Sequence, residues 1–294
     1  MPDLFAGAEL GGTKCILLLA RGPKEILARE QVATTSAEAT LGAMENILAR
    51  WQSDYGYEAL GIGSFGPLDL DPSSPTFGEV TTTPKPGWAG AKVFSRLRSA
   101  AAVPARIDTD VNGAALAEMQ WGSGRGVKDF AYVTVGTGIG VGLIVNGSPT
   151  RGFGHCELGH IRPVRVEGDD WGGICPFHGG CVEGLASGPA IRARVGPERA
   201  RALVPGDPVW DYVSSAIAQL CHVIVCAAAP RAIAIGGGVI ENNPHLLAQI
   251  EPMLVASLAG YLQLPSQGRY IRGPELGGEA GPLGAIALAM SARN

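Results

Sequence analysis

Apolar residues recur along this chain in short runs that end on glycine. Leu4-Phe5-Ala6 leads into Gly7-Ala8-Glu9-Leu10-Gly11-Gly12-Thr13-Lys14, and Cys15-Ile16-Leu17-Leu18-Leu19 follows. That order predicts a β-hairpin closed by a glycine turn, rather than a strand entering a helix. Leu41, Met44, Ile47, Leu48 and Trp51 fall at helical spacing, so a helix is expected over residues 39–51. Residues 60–65 read as a buried strand ending at Gly66-Pro67, and Val93, Phe94 and Leu97 as one face of a short helix. Arg106-Ile107-Asp108 reads as a strand end, after which Asn112 is placed to cap a helix running through Met119.

The pattern then repeats. Phe130-Ala131-Tyr132-Val133-Thr134-Val135 is a strand, Gly136-Thr137-Gly138-Ile139-Gly140 a glycine turn, and residues 141–145 a return strand. Its likeness to the first hairpin suggests an internal duplication. Helices are expected over 213–229, 246–258 and 283–290, and a strand over 231–235 that ends in Gly236-Gly237-Gly238. Strands and helices alternating in two related halves predict an α/β protein with a cleft between lobes. No low-complexity linker divides the chain, and the boundary is expected near Asn112.

Bulk properties narrow the function. The 294 residues suffice for one large or two medium domains, and 46% hydrophobic with 17% charged residues is a globular composition. The net charge is −4 and no Lys/Arg run occurs, so no nucleic-acid partner is expected. Met1-Pro2-Asp3-Leu4 lacks a cationic n-region, which predicts no signal peptide. The apolar stretch 217–235 is interrupted by Gln219, His222, Pro230 and Arg231; it reads as a buried helix followed by a strand, too short for a membrane span. Six cysteines without a secretion signal favour metal over disulfides and a cytoplasmic location. The 43 glycines are about twice average usage and show no collagen-like period, so they are expected in turns.

The candidate chemistry follows from those turns. Main-chain N–H groups in a glycine turn can converge on an anion, and Thr13 and Thr137 each add a hydroxyl donor. Neither turn has the Walker spacing or a GxGxxG run. In Asp108-Thr109-Asp110-Val111-Asn112 a carboxylate at a strand end can take a proton from an attacking hydroxyl; the alternative is that Asp110 or Asn112 only caps the helix. Gly236-Gly237-Gly238 would let the main chain approach an adenine or ribose.

Gly154-His155-Cys156-Glu157-Leu158-Gly159-His160 and Cys175-Pro176-Phe177-His178-Gly179-Gly180-Cys181-Val182-Glu183 bring acids and soft ligands into one region. His160, Cys175, His178 and Cys181 supply four donors for tetrahedral zinc, with His155 or Cys156 as substitutes for the fourth. Such a clip would fix Glu157 and Glu183, whose carboxylates suit the hydroxyls of a sugar.

Together these residues resemble the ROK sugar kinases (repressor, open reading frame, kinase) of the hexokinase–actin ATPase superfamily. Glu9-Leu10-Gly11-Gly12-Thr13-Lys14 resembles the family's first phosphate loop, with Glu9 where most members carry Asp. Val135-Gly136-Thr137-Gly138-Ile139-Gly140 resembles the second phosphate loop, and Ile235-Gly236-Gly237-Gly238 the adenosine motif. Asp110 falls at the catalytic base, preceded by Thr109 where glucose-specific members have Asn. Glu157, His160 and Glu183 match the sugar-binding Glu-x-Gly-His and Gly-Cys-x-Glu elements. The Cys175-x-x-His178-x-x-Cys181 variant and the upstream Thr82-Thr83-Pro84-Lys85-Pro86-Gly87-Trp88 are similar to bacterial fructokinases of the family.

The resemblance implies a two-lobed actin-like ATPase (ribonuclease H-like) fold with an interlobe cleft. A smaller lobe would hold residues 1–112 and a C-terminal helix at about 281–294; a larger lobe, 113–280, would carry the zinc loop. It implies an ATP- and Mg²⁺-dependent hexose kinase with structural Zn²⁺, converting D-fructose to fructose 6-phosphate. Glucose, mannose or N-acetylmannosamine as substrate, or a non-catalytic sugar-responsive module, are the alternatives. Asp110 would be the base. Gly11, Gly12, Thr13, Lys14, Gly136, Thr137, Gly138, Gly236 and Gly237 would bind the nucleotide, and Gly66, Asp110, Glu157, His160 and Glu183 the sugar. A homodimer is the family expectation. No helix-turn-helix precedes the first phosphate loop, so the DNA-binding branch is not expected.

Overall fold

In the computed structural model, which describes residues 3–266 and 268–293, the first apolar run forms β1 (Phe5–Leu10) and returns as β2 (Lys14–Gly22). The two are antiparallel, in register from Leu10 opposite Cys15 to Phe5 opposite Ala20. A third strand, β3 (Glu25–Ala33), extends the sheet antiparallel to β2. The apolar pattern does not announce it, because β3 lies at the edge and buries none of its residues fully. Helix α1 (Ala37–Asp54) is capped by Ser36, whose Oγ accepts from the N–H of Ala39 at 3.3 Å. It buries Thr40, Leu41, Met44, Ile47, Leu48 and Trp51 along one stripe. Then β4 (Ala59–Ser64) joins β1 in parallel, α2 (Val93–Ala101) follows, and β5 (Ala105–Thr109) joins β4 in parallel. The sheet order is β3-β2-β1-β4-β5.

Helix α3 (Asp110–Trp121) begins one residue after β5. Its cap is Thr109 rather than Asn112: Thr109 is the last extended residue, and its Oγ1 accepts from the N–H of Asn112 at 3.2 Å. Asn112 instead lies inside the first turn and donates Nδ2 to Asp108 Oδ1 at 2.7 Å. The C-terminal helix (Ala280–Ser291) covers α3, β1 and β4. Gly61 makes that approach feasible, since a Cβ there would lie 1.9 Å from the carbonyl oxygen of Ala285.

The chain divides into two compact units. One holds the polypeptide through Arg125, Pro149–Cys156 and the stretch from Gly278; the other holds Gly126–Ser148 and Glu157–Gly277. A division at Asn112 would cut α3, which packs on the C-terminal helix, and the observed one falls after that helix has ended.

In the second unit β6 (Phe130–Val135) and β7 (Ile139–Val145) are antiparallel, with β8 (Ser148–Pro149) at the sheet's edge. Three short helices follow, α4 (Val182–Ala186), α5 (Gly188–Val195) and α6 (Pro197–Arg201). Helix α7 (Val209–Ala228) starts before the expected residue 213. At 20 residues it is long and apolar enough to cross a membrane, contrary to the expectation of a shorter segment. Half of its most apolar window is buried, and it packs on α4 and on α9 (Leu246–Leu258). Strand β9 (Ile233–Gly236) is parallel to β6, α8 (Gly238–Asn242) follows it, and β10 (Ile271–Arg272) is parallel to β9. The order β10-β9-β6-β7-β8 repeats the first sheet, hairpin and parallel neighbours alike. The duplication suggested by the two glycine hairpins therefore extends through both sheets.

Candidate active site

In the first unit the turn between β1 and β2 is pinned by its own ends and by Thr34. Gly11 donates its N–H to the Lys14 carbonyl at 3.1 Å, Thr34 Oγ1 donates to the Gly11 carbonyl at 2.8 Å, and the Thr34 N–H donates to the Thr13 carbonyl at 3.0 Å. Lys85 Nζ donates to the Gly12 carbonyl. Gly12, Thr13 and Lys14 are exposed. The carbonyls are thus tied from behind on an exposed turn. Sequence reasoning missed Thr34, which lies in a polar stretch with no periodic signal.

Asp108 and Asp110 end up in different roles. The Asp108 side chain is fully buried; Oδ1 accepts from the Thr109 N–H at 2.8 Å and from Asn112 Nδ2 at 2.7 Å, and Oδ2 is paired with Arg151. A carboxylate so committed is a brace. Asp110 opens α3, and its Oδ1 accepts from the Val111 N–H at 2.9 Å. Burial raises its pKa to about 6, against the lowering effect of that main-chain donor. Glu9, paired with Gly63 across β1 and β4, is pushed up to about 7, first by burial and then by the charge of Asp110, while Lys14 opposes the rise. Asp110 can therefore lose its proton below neutral pH and regain one from a bound hydroxyl, as a general base must.

Gly66 follows β4, and the loop after it is held by His155. His155 Nε2 accepts the Leu68 N–H at 3.0 Å, which requires that nitrogen to be unprotonated. Burial keeps the ring neutral by lowering its pKa. Cys156 Sγ contacts Thr150 Oγ1 at 2.9 Å. Pro149–Cys156 is therefore a strap fastened at Arg151 and His155, a long-range pairing that no local pattern announces.

In the second unit the turn between β6 and β7 closes through a 2.9 Å bond from the Gly136 N–H to the Gly138 carbonyl, and Gly188 donates to the Gly136 carbonyl at 2.8 Å. A cavity of about 650 Å³ opens beside it, lined by Gly136, Thr137, Gly188, Arg192, Trp210 and Asn243 among others. From the glycine triplet it is Gly238 that lines this cavity; Gly236 faces Pro274 and Gly237 faces Thr134. Arg192 and Trp210 went unnoticed in the sequence because each sits in an ordinary helical pattern.

Glu157 is exposed and its carbonyl accepts from the His160 N–H at 3.0 Å in a 3-10 turn over Leu158–His160. Gly159 lies so close to β7 that a Cβ would fall 1.9 Å from the Ile139 carbonyl oxygen. Glu183, in the first turn of α4, accepts the Ile139 N–H on Oε2 at 2.9 Å. The donors of His160, Cys175, His178 and Cys181 all lie within 4.8 Å of one another. His160 Nδ1 stands 3.7 Å from Cys175 Sγ and 3.6 Å from Cys181 Sγ, and Cys175 Sγ stands 3.6 Å from His178 Nδ1. Zinc bonds of ~2.3 Å to sulfur and ~2.05 Å to nitrogen set tetrahedral S···N edges of about 3.6 Å. The donor spacing fits zinc, and it is His160 that stands with Cys175, His178 and Cys181, while His155 and Cys156 are engaged in the strap. Burial raises the Cys181 thiol to about 11, so a thiolate there needs a cation beside it. Asp169, paired at 2.7 Å with both Arg165 and Arg194, fastens the loop between His160 and Cys175.

Residues 5–292 match the ROK family. The chain is 41% identical to a fructokinase from Zymomonas mobilis over 99% of its own length and 98% of the relative's. It resembles the crystal structure of a ROK hexokinase from Thermus thermophilus, with TM-score 0.78, 28% identity and 98% of each chain covered. It also resembles a ROK family glucokinase from Streptomyces griseus solved with glucose and AMPPNP, with TM-score 0.74, 26% identity, and 98% of this chain and 100% of the other covered. The two like-ordered sheets are those of the two-lobed actin-like ATPase fold.

Proposed function

The chain belongs to the ROK family, and from that premise we propose that it is an ATP-dependent hexose kinase converting D-fructose to D-fructose 6-phosphate. The observation that carries the chemistry is Asp110, a carboxylate with a pKa of about 6 at the head of α3, beside an Asp108 already committed to Arg151. Fructose is favoured over glucose because the fructokinase relative is much the more similar in sequence.

Asp110 takes the proton of the 6-hydroxyl as its oxygen attacks the γ-phosphorus of ATP. The bond from that phosphorus to the β,γ-bridging oxygen breaks, and ADP leaves with the electron pair. Such transfers leave a protein mostly positioning and charge stabilisation. Gly11, Gly12, Thr13 and Lys14 in one turn and Gly136, Thr137 and Gly138 in the other hold phosphate oxygens, with the cavity beside Gly188 and Trp210 and the Gly236-Gly237-Gly238 turn for the nucleoside. Gly66, Glu157, His160 and Glu183 orient the sugar. Bound Mg²⁺ would neutralise phosphate charge, with Glu9 and Asp110 the nearby carboxylates. Zinc on His160, Cys175, His178 and Cys181 would cross-link the loop that carries Glu157 and Glu183. His160 presents Nδ1 to the sulfurs, which leaves Nε2 to face the sugar in this reading. The protein acts in the cytoplasm as a homodimer.

A coupled ADP-release assay over D-fructose, D-glucose, D-mannose and N-acetylmannosamine is the test. Highest kcat/KM on fructose supports the reading. Preference for another hexose moves the substrate within the family, and sugar binding without ATP turnover removes the enzymatic assignment.

A further inference from the structure

We propose that Lys85 is a catalytic residue that donates to the transferring γ-phosphoryl group. The proposal rests on the reading of the Gly11–Lys14 turn as a phosphate loop. Lys85 stands in the Thr82–Trp88 segment, a motif to which the function above assigns nothing.

The segment is built to place this side chain. Trp88 is fully buried and its Nε1 donates to the Thr35 carbonyl at 2.8 Å, next to the Thr34 that pins Gly11 and Thr13. The Trp88 N–H donates to the Lys85 carbonyl at 3.3 Å, and the Lys85 N–H donates to Thr83 Oγ1 at 3.3 Å. The Thr81 N–H donates to the Pro67 carbonyl at 2.8 Å, which joins the start of the segment to the Gly66 loop. Out of this frame Lys85 Nζ reaches the Gly12 carbonyl and lies 5.6 Å from the centre of the Phe65 ring, one residue before Gly66.

A brace alone is an inadequate account of that ammonium. Thr34 already holds the carbonyls of Gly11 and Thr13, so the turn has its support from behind. An ammonium carries three N–H donors, and the Gly12 carbonyl takes one. Among the described residues no carboxylate pairs with Lys85. A half-buried cation fixed on a turn of exposed main-chain amides, with an aromatic face beside it, is matched to an anion. As the β,γ-bridging bond breaks, charge is spread over the equatorial oxygens of the γ-phosphoryl, and the spare donors of Nζ address it there.

The test compares Lys85→Met and Lys85→Arg with the wild type in kinetics and thermal melting. Loss of a preorganised donor of this kind costs about 10²-fold in kcat. Lys85→Met is expected to lose that much while KM for ATP and hexose stays within about threefold, with unchanged Tm. Lys85→Arg should recover part of kcat, and ethylammonium should partly rescue Lys85→Ala. Three results would each overturn the proposal: kcat within about threefold of wild type, a defect confined to KM, or a kcat loss accompanied by a lowered Tm without amine rescue. Wild-type turnover on the same hexose panel separates the premises. No turnover of any hexose removes the kinase reading itself, whereas normal wild-type turnover with an unimpaired Lys85→Met removes only the role of Lys85.

Discussion

The main-chain N–H of Ile139 donates to Oε2 of Glu183 at 2.9 Å. Ile139 is the first residue after the Gly136–Gly138 turn, and its carbonyl is the atom against which Gly159 packs. One residue therefore links a proposed phosphate turn, a proposed sugar carboxylate and the 3-10 turn that carries His160.

Glu183→Ala removes the acceptor of that bond as well as the proposed sugar contact. It is expected to raise KM for fructose and for ATP together. Glu183→Gln keeps an oxygen for the Ile139 N–H and should raise mainly the fructose KM. Steady-state kinetics on both substrates separates the two outcomes, and equal effects from both variants would show that the Ile139 bond does not matter to nucleotide binding.

Asp110 should impose a pH limb on turnover. Its base form is lost as pH falls through about 6, so kcat/KM should rise to that pH and level off above it. Asp110→Asn should cut kcat by roughly 10²–10⁴ with the fold intact. Stability carries the opposite sign. The folded pKa of about 6 exceeds the ordinary 3.8, so the stability present below 3.8 is lost as pH rises through 6. Asp110→Asn should therefore melt higher than wild type at pH 8, with the gap closing toward pH 4. A variant that melts lower at pH 8 would contradict the burial argument.

Zinc should copurify at about one equivalent, matching one tetrahedral set of donors. Removing it with phenanthroline should lower Tm and abolish fructose turnover, and zinc should restore both. Less than about half an equivalent, with turnover indifferent to chelator, would reject a structural zinc.

Gly159→Ala tests the close approach to β7. The added Cβ would fall 1.9 Å from the Ile139 carbonyl, so the 3-10 turn must move. The expected result is a loss of about 1–3 kcal/mol with reduced zinc content. Unchanged zinc content and turnover would show that the turn can shift without carrying His160 away.

Much of this was legible in the sequence for particular reasons. The two glycine hairpins are local, and their likeness extends to the whole strand order of both sheets. The four Cys and His donors of the candidate metal cluster lie close in sequence, so their spacing forecasts their meeting. What escaped was whatever depends on distant partners. Strand β3 owes its place to pairing with β2 rather than to an apolar face. Thr109 takes the cap of α3 because the chain is still extended there, while Asn112 is drawn inward by Asp108. The pairing of Asp108 with Arg151, far along the chain, has no signal in the local sequence.

The polypeptide passes from one compact unit to the other after Arg125, Ser148, Cys156 and Gly277. Neither body is a contiguous stretch of gene. A fragment ending at Arg125 would lack the closing helix that shields β1 and β4, and would leave an apolar sheet face bare to water. A single crossover with a relative therefore exchanges neither unit whole. Exchanging the second unit takes two crossovers, and residues 149–156 of the first unit travel with it.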